Sequence, residues 1–149
     1  MRVIVQRSLA SSVTVDDKVV GNISRGMVLL VGFTHSDSDK EIDYMVNKIL
    51  NLRIFDDEKG IMNKSILDVD GEILSISQFT LYGDTRKGNR PSYIDAMKSD
   101  LATEFYNRFN SKLKEKIKVE EGIFGSEMFV NINNDGPVTI ILESGEKND

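Results

Sequence analysis

Short apolar stretches recur along the chain, and most of them are too short and too rich in Val, Ile and Leu to be helices. Such stretches, bounded by turn-forming residues, are typical of strands. We predict strands at Arg2 to Gln6, Ser12 to Val15, Val19 to Ile23, Met27 to Phe33, Ile54 to Phe55, Ile73 to Leu81, Met128 to Ile132 and Val138 to Leu142. The run from Met27 to Phe33 is apolar throughout, so this strand is expected to be buried on both faces.

Apolar residues at helical spacing predict helices in the remaining regions. Ser38, with Glu41 three residues later, forms the pattern of a capping box, and its helix is expected to run to about Arg53. A short helix is expected around Tyr93 to Met97, and Ser99 is expected to cap a longer one. One face of the longer helix carries Leu101, Phe105, Phe109 and Leu113.

The order of these elements favours an α+β fold, because several strands are adjacent and no regular β-α-β repeat is present. We expect a single compact domain in which a mixed or antiparallel β-sheet packs with helices. The chain contains no internal repeat, low-complexity stretch or linker. Residues 1–143 are therefore assigned to one domain, and residues 144–149 to a polar C-terminal tail that is expected to be frayed.

Composition restricts the chemistry that the chain can perform. Its 149 residues suffice for one core, and 40% apolar with 29% charged residues is an ordinary balance. No run approaches the length of a membrane span, and no signal peptide is evident, which fits a cytoplasmic protein. Because the chain has no Cys and a single His, His35, it excludes disulfides, thiolate zinc sites, a Cys nucleophile and multi-histidine metal sites.

The charge distribution bears on a nucleic-acid partner. The net charge of −5 argues against a general nucleic-acid-binding surface, because phosphate contacts call for basic side chains. Arg86, Lys87 and Arg90 nevertheless form a local basic cluster that could serve an RNA end.

The segment Ser77-Gln78-Phe79-Thr80 puts three polar side chains at the end of an apolar strand. Neighbouring residues of a strand point to opposite faces, so these side chains can share a pocket only if the strand bulges or ends there. A strand end also offers free backbone N–H groups that can stabilise a developing oxyanion. The alternative is that the side chains only satisfy neighbouring backbone groups.

Thr80 is the candidate nucleophile in this segment. A threonine hydroxyl needs a base to remove its proton, and His35 lies far away in sequence on a different element. The residues therefore favour a site that positions and polarises a substrate over one that attacks it.

The segment Asn134-Asp135-Gly136-Pro137 has two interpretations. Asp-Gly between two apolar runs is a strong hairpin signal, which predicts a plain turn. A Pro is nevertheless a poor neighbour for a tight hairpin, and X-Pro bonds are almost the only ones that become cis at modest cost.

Together, Ser77-Gln78-Phe79-Thr80-Leu81 and Asn134-Asp135-Gly136-Pro137-Val138-Thr139 resemble the two signature motifs of the D-aminoacyl-tRNA deacylases. The resemblance covers nearly the whole chain. It extends to the segments Met1 to Arg7, Lys87 to Tyr93 and Gly122 to Met128.

The resemblance implies a homodimer that hydrolyses the ester bond of D-aminoacyl-tRNA, and glycyl-tRNA as a secondary substrate. It also implies a cis Gly136–Pro137 bond that one subunit inserts into the pocket of the other, where an L side chain would clash. Chiral selection then involves Asn134, Val138 and Thr139 as well.

The resemblance implies in addition that Ser77, Gln78, Phe79 and Thr80 line the ester site, without a metal or organic cofactor. Backbone N–H groups near Phe79 and Thr80 would polarise the ester carbonyl, and the 2′-hydroxyl of the terminal ribose would handle the proton. The expected partner is the 3′ end of aminoacyl-tRNA, contacted by Arg7, Arg86, Lys87 and Arg90. No DNA or membrane partner is expected.

Two alternatives remain open at this point. One is a non-catalytic nucleic-acid-binding module on the same fold, which the acidic charge and the absence of aromatic residues within the basic cluster disfavour. The other is a hydrolase of small esters or amides in which Thr80 attacks directly.

Overall fold

A computed structural model describes residues 1–145 of the chain. In chain order the strands are β1 (Arg2–Ser8), β2 (Ser11–Val15), β3 (Lys18–Ile23), β4 (Gly26–Gly32), β5 (Phe55–Asp56), β6 (Met62–Lys64), β7 (Glu72–Ser77), β8 (Val119–Glu121), β9 (Phe129–Asn131) and β10 (Asn134–Glu143). Helix α1 (Asp39–Asn51) follows β4, a 3₁₀ helix (Phe79–Tyr82) follows β7, and helix α2 (Ser99–Lys114) precedes β8.

The main sheet has five strands in the order β10-β1-β4-β7-β8. It is mixed, because β1 pairs antiparallel with both β10 and β4, whereas β4, β7 and β8 run parallel to one another. A second sheet has the order β3-β2-β9, and β5 pairs with β6. The predicted α+β fold with a mixed sheet is therefore confirmed.

The two faces of the main sheet are covered differently. Both helices pack on one face, where alternate residues of β1 and β4 such as Val3, Val5, Leu29 and Val31 enter the large core. On the other face, the second sheet covers β4 and β7 through a smaller cluster that includes Val28, Leu74 and Ile76. The part of this face near β10 stays open, and Ile141 there is 63% exposed.

Local signals correctly predict several of these elements. The capping box at Ser38 and Glu41 is present, and α1 ends at Asn51, close to the predicted end. The buried strand at Met27 to Phe33 is β4, at the centre of the main sheet. Neither α1 nor α2, the two α-helices of the described residues, is long and apolar enough to cross a membrane.

Three predictions about secondary structure are wrong. The strand expected to run to Leu81 ends at Ser77, where the 3₁₀ helix takes over. The segment expected to be a helix around Tyr93 to Met97 is a single turn at residues 94–95, because the backbone on either side of it pairs with other segments, through the bridges of Ser92 with Asp84 and of Ala96 with Thr34. Ser99 does not cap α2 but is its first residue.

The tail assignment is only partly covered by the structure. Ser144 N–H donates to the Met1 carbonyl at 2.9 Å, so this residue is held against the start of β1. The prediction of a frayed tail otherwise concerns residues 146–149, which lie outside the described residues.

Candidate active site

A largely apolar cavity opens where β4 and β7 end, next to the polar motif Ser77-Gln78-Phe79-Thr80. It has a volume of about 530 Å³. Its apolar wall includes Val31, Phe33, Ile76, Met97, Ala102, Phe124, Met128 and Val130, and its polar side chains are Ser77, Gln78, Ser99 and Ser126. Ser77 and Gln78 therefore reach the same cavity because the strand ends between them.

Backbone geometry explains how the strand end exposes hydrogen-bond donors. Ser77 pairs with Val31, and Gln78 N–H still donates to the Val31 carbonyl at 2.8 Å. Gln78 (φ −144°, ψ 81°) then turns the chain into the 3₁₀ helix. Among residues 1–145, no backbone acceptor is found for the N–H groups of Phe79 and Thr80. Phe79 lines the cavity and Thr80 is the next residue, so the strand end carries two N–H groups of the kind that can stabilise an oxyanion.

The Thr80 hydroxyl accepts a hydrogen bond from the Gln78 side-chain amide. Thr80 is exposed and does not line the cavity. His35 lies on an exposed loop, and its Nε2 is 2.6 Å from the Ile94 carbonyl. The hydrogen bond from Gln78 thus orients the Thr80 hydroxyl. His35 does not contact Thr80 but lies against Ile94.

Aromatic rings form the rim of the cavity. Phe79 and Tyr93 meet edge to face, with ring centroids 5.1 Å apart, and they are 55% and 41% exposed. Deeper in the wall, Phe124 packs on Tyr106 of α2 with ring centroids 6.0 Å apart. Burial raises the pKa of Tyr106 to about 12, and its hydroxyl donates to the Ser75 carbonyl at 2.7 Å. Tyr106 therefore stays neutral and supports the wall.

Sequence reasoning did not assign Tyr93, Phe124 or Met128 to the site. Tyr93 follows the polar loop from Tyr82 to Arg90, and this loop is the sequence signal that could have placed Tyr93 near the end of β7. Phe124 lies in a loop between Gly122 and Gly125. A large apolar side chain in such a loop indicates that it covers a ligand site or another element.

The second motif lies at the start of β10 rather than in a hairpin. Strand β9 pairs with β2 and β10 pairs with β1, so the hairpin interpretation of Asn134 to Pro137 is wrong. The Gly136–Pro137 bond is cis, as the resemblance implies, and both residues are exposed.

Side chains of the motif fix the backbone around this bond. Asn134 Nδ2 donates to the carbonyls of Arg7 and Val138, each at 3.0 Å. Thr139 Oγ1 donates to Asn134 Oδ1 at 3.3 Å. These bonds close a bulge of β10 between Asn134 and Thr139, the Gly136–Pro137 loop, which presents Gly136 and Pro137 at the surface.

Gly136–Pro137 lies at the opposite end of the sheet from the cavity of its own chain. Ser8 pairs with Asn134 and with Gly26 at the start of β4, whereas Arg2 pairs with Glu143 and with Gly32 at its end. The six residue steps between Arg2 and Ser8 correspond to about 20 Å, and β10 is separated from β7 by two intervening strands. The two motifs therefore cannot meet within one chain.

The basic residues named from the sequence differ in their surroundings. Arg86 is exposed but bonds bidentately to Asp84, and this guanidinium lowers the Asp84 pKa to about 2. Lys87 and Arg90 are exposed on the same loop.

Arg7 is different from the other basic residues because its side chain is buried. Its Nη1 donates to the Ile54 carbonyl at 2.8 Å, and its Nε lies 3.2 Å from Asp135 Oδ2. Arg7 therefore supports the Gly136–Pro137 loop from below. Within residues 1–145, no group of three or more His, Asp or Glu side chains is arranged to hold a metal ion.

Comparisons with known proteins place this geometry in a family. The family model described as D-Tyr-tRNA(Tyr) deacylase matches residues 4–143. Proteins named D-aminoacyl-tRNA deacylase from Bacillus thuringiensis (strain Al Hakam) and Bacillus anthracis (strain A0248) are each 57% identical over 145 residues, which cover 97% of this chain and 99% of each relative.

Two solved structures share the fold. One, described as c-Myc DNA Unwinding Element Binding Protein, has a TM-score of 0.93 and 45% identity, covering 98% of this chain and 100% of its own. The other, described as a probable eukaryotic D-amino acid tRNA deacylase, has a TM-score of 0.82 and 20% identity, covering 95% and 97%.

The loop at Gly136 should tolerate a side chain poorly. Gly136 has φ +119°, and an added Cβ would lie 2.9 Å from Val138 Cγ2 and 3.1 Å from Arg7 Nη2. We expect Gly136→Ala to lower the free energy of unfolding in urea by about 2–3 kcal/mol.

Gly88→Ala is the matched control, because Gly88 has φ +121° but no atom within 4 Å of an added Cβ. It is expected to cost only about 1–2 kcal/mol, from the backbone conformation alone. Equal losses in the two variants would mean that the buried Arg7 does not restrict the loop.

Proposed function

The chain belongs to the D-Tyr-tRNA(Tyr) deacylase family, and we infer that it hydrolyses the ester bond of D-aminoacyl-tRNA, releasing the D-amino acid and free tRNA. The observation that carries this inference is the end of β7. There, Ser77 and Gln78 face a cavity and the N–H groups of Phe79 and Thr80 have no backbone acceptor in the described residues.

The proposed reaction is attack of water on the ester carbonyl. As the water oxygen bonds to the carbonyl carbon, negative charge develops on the carbonyl oxygen, which the N–H groups of Phe79 and Thr80 stabilise. The bond to the ribose 3′ oxygen then breaks, and this oxygen takes a proton. The neighbouring 2′-hydroxyl accepts the proton from water and relays one to the leaving oxygen, since the partner of the Thr80 hydroxyl within residues 1–145 is the Gln78 amide, which is not a base.

The side chains of the motif orient the reactants in this proposal. Ser77 and Gln78 line the cavity and hold the aminoacyl group or the water. Gln78 also bonds to Thr80, which fixes the start of the 3₁₀ helix and therefore the direction of its N–H groups. Thr80 is thus assigned a positioning role.

The rim and the basic loop suit the 3′ end of a tRNA. Exposed aromatic rings stack well on nucleobases, and the pair Phe79 and Tyr93 is available at the cavity mouth for the terminal adenine. Lys87 and Arg90 are the exposed cations for the phosphates, together with Arg86 if Asp84 releases it. Because Arg7 is buried between Ile54 and Asp135, we assign it to support of the Gly136–Pro137 loop and not to tRNA contact.

We propose further that the active form is a homodimer in which each chain completes the site of the other. Two observations support this. Gly136–Pro137 is exposed and too far from the cavity of its own chain, and Ile141 and Ile4 lie side by side on the open part of the main sheet, next to Leu30 of the covered part. A second copy that covers these residues would bring its own Gly136–Pro137 loop with it.

Chiral selection follows from crowding in this dimer. Gly136 and Pro137, held by Asn134, Val138 and Thr139, would occupy the space that an L side chain needs, whereas a D side chain points to solvent. Glycine has no side chain to be rejected, so glycyl-tRNA is a secondary substrate in this proposal. We assign the activity to residues 1–143. We also propose that the protein is cytoplasmic, because charged tRNA is found there, and that the reaction needs no cofactor.

A second candidate function is non-catalytic nucleic-acid binding on the same fold. The specific observation that favours it is the 45% identical structure described as a DNA unwinding element binding protein. The net charge of −5 and the pairing of Arg86 with Asp84 oppose strong binding to a duplex.

The first test compares hydrolysis of D- and L-tyrosyl-tRNA. We expect release of the D ester only, and we expect Pro137→Ala to hydrolyse the L ester as well, because the crowding group is removed. Pro91→Ala, which alters the other exposed proline of the chain, should leave the D-to-L ratio unchanged. Hydrolysis of neither ester would contradict the proposed function and favour the binding module.

The second test addresses Thr80. If Thr80 only positions the 3₁₀ helix, Thr80→Val should lower kcat for D-tyrosyl-tRNA by no more than about tenfold. Direct attack by its hydroxyl predicts a loss of about a thousandfold or more. Thr85→Val, in the neighbouring exposed loop, is the control and should match the unaltered protein.

A further inference from the structure

The last turn of the 3₁₀ helix that carries Phe79 and Thr80 contacts the side chain of Arg2, which the proposed mechanism does not use. Arg2 Nη1 donates to the Leu81 carbonyl at 2.5 Å, and its guanidinium lies over the Tyr82 ring, 4.7 Å from the centroid. Its Nε donates to Glu143 Oε1 at 2.8 Å. From these contacts we propose that Arg2 is a positioning residue for the hydrolytic reaction, an inference that rests on the proposed function.

The contacts of Arg2 join three parts of the fold at one point. Arg2 belongs to β1, Glu143 to the end of β10, and Leu81 and Tyr82 to the last turn of the 3₁₀ helix. The carbonyl of Leu81 is at a helix end, where the last carbonyls have no partner within the helix. A charged donor there restrains the helix more strongly than a neutral one.

The helix is also restrained by close packing on the end of β4, where Gly32 is the cross-strand partner of Arg2. A Cβ added to Gly32 would lie 3.0 Å from the Gln78 carbonyl, 3.2 Å from Leu81 Cβ and 3.3 Å from Tyr82 Cδ2. The 3₁₀ helix thus rests on Gly32 and is held there by Arg2. Burial raises the pKa of Tyr82, so its ring remains neutral beneath the guanidinium.

This restraint matters because the helix is short. A helix of four residues has little stability of its own, so tertiary contacts decide where its N–H groups point. The N–H groups of Phe79 and Thr80 act on charge that exists only in the transition state. A helix displaced by a fraction of an ångström therefore loses kcat before it loses substrate affinity.

The test uses Arg2→Met, which keeps much of the aliphatic side chain and removes the charged donor. We expect kcat for D-tyrosyl-tRNA to fall about 10- to 100-fold, with KM changed by less than about threefold. Arg2→Lys should recover part of the loss, because it restores a charged donor. Arg25→Met is the matched control: Arg25 also stacks on an aromatic ring, Phe55, but at the opposite end of the main sheet.

A second readout needs no activity. Hydrogen exchange at the amides of residues 79–83 should be faster in Arg2→Met, whereas exchange in α1 should be unchanged. Sedimentation and the unfolding temperature identify any variant that has lost its assembly or fold. If Arg2→Met does not fold, Arg2→Lys is measured by the same exchange experiment and should show a smaller acceleration.

Unchanged kcat together with unchanged exchange at residues 79–83 would overturn the proposal. So would a loss of activity in which KM rises while kcat is retained. If the unaltered protein hydrolyses neither ester, the proposed function fails on its own account, and the exchange experiment still decides whether Arg2 holds the helix.

Discussion

The parallel pairing of β4 with β7 is the constraint on which the candidate site depends. β7 ends at Ser77, which pairs with Val31, and β4 ends one residue later at Gly32, so Gln78 is the last residue to find a backbone acceptor on the neighbouring strand. The chain turns there, and the turn frees the N–H groups of Phe79, which lines a cavity of about 530 Å³, and of the next residue, Thr80. Loss of a strand partner thus leaves a pair of hydrogen-bond donors, which the proposed reaction assigns to the ester carbonyl.

The direction of the strands also determines how the two signature motifs are related. β10 runs parallel to β4, with β1 antiparallel between them, so the start of β10 and the end of β7 lie at opposite ends of the sheet. Asn134 and the buried Arg7 hold Gly136–Pro137 at the end of the sheet that lies away from the cavity. In the proposed dimer, a second copy of the chain gives this exposed loop a function.

Features that depend on neighbouring residues were predictable from the sequence, and features that depend on distant partners were not. The capping box at Ser38 and the apolar run of β4 are local, and both were predicted correctly. Phe79, Thr80 and Leu81 favour a strand locally, but β4 has ended and offers them no partner. The Asp-Gly signal at residue 135 failed for the same reason, because β9 and β10 join different sheets. That Phe124 and Met128 form part of the cavity wall likewise depends on distant contacts and could not be predicted from the sequence.

The most direct test of a site shared between chains is a purified heterodimer of two differently tagged chains, one carrying Gln78→Ala and the other Pro137→Ala. Its only working pocket lies on the Pro137→Ala chain, and in a shared site that pocket receives the intact Gly136–Pro137 of the other chain. We predict that this heterodimer hydrolyses D-tyrosyl-tRNA and spares the L ester. A chain carrying both substitutions, paired with the unaltered chain, should hydrolyse both esters. Hydrolysis of the L ester by the first heterodimer, and rejection of it by the second, would contradict the account.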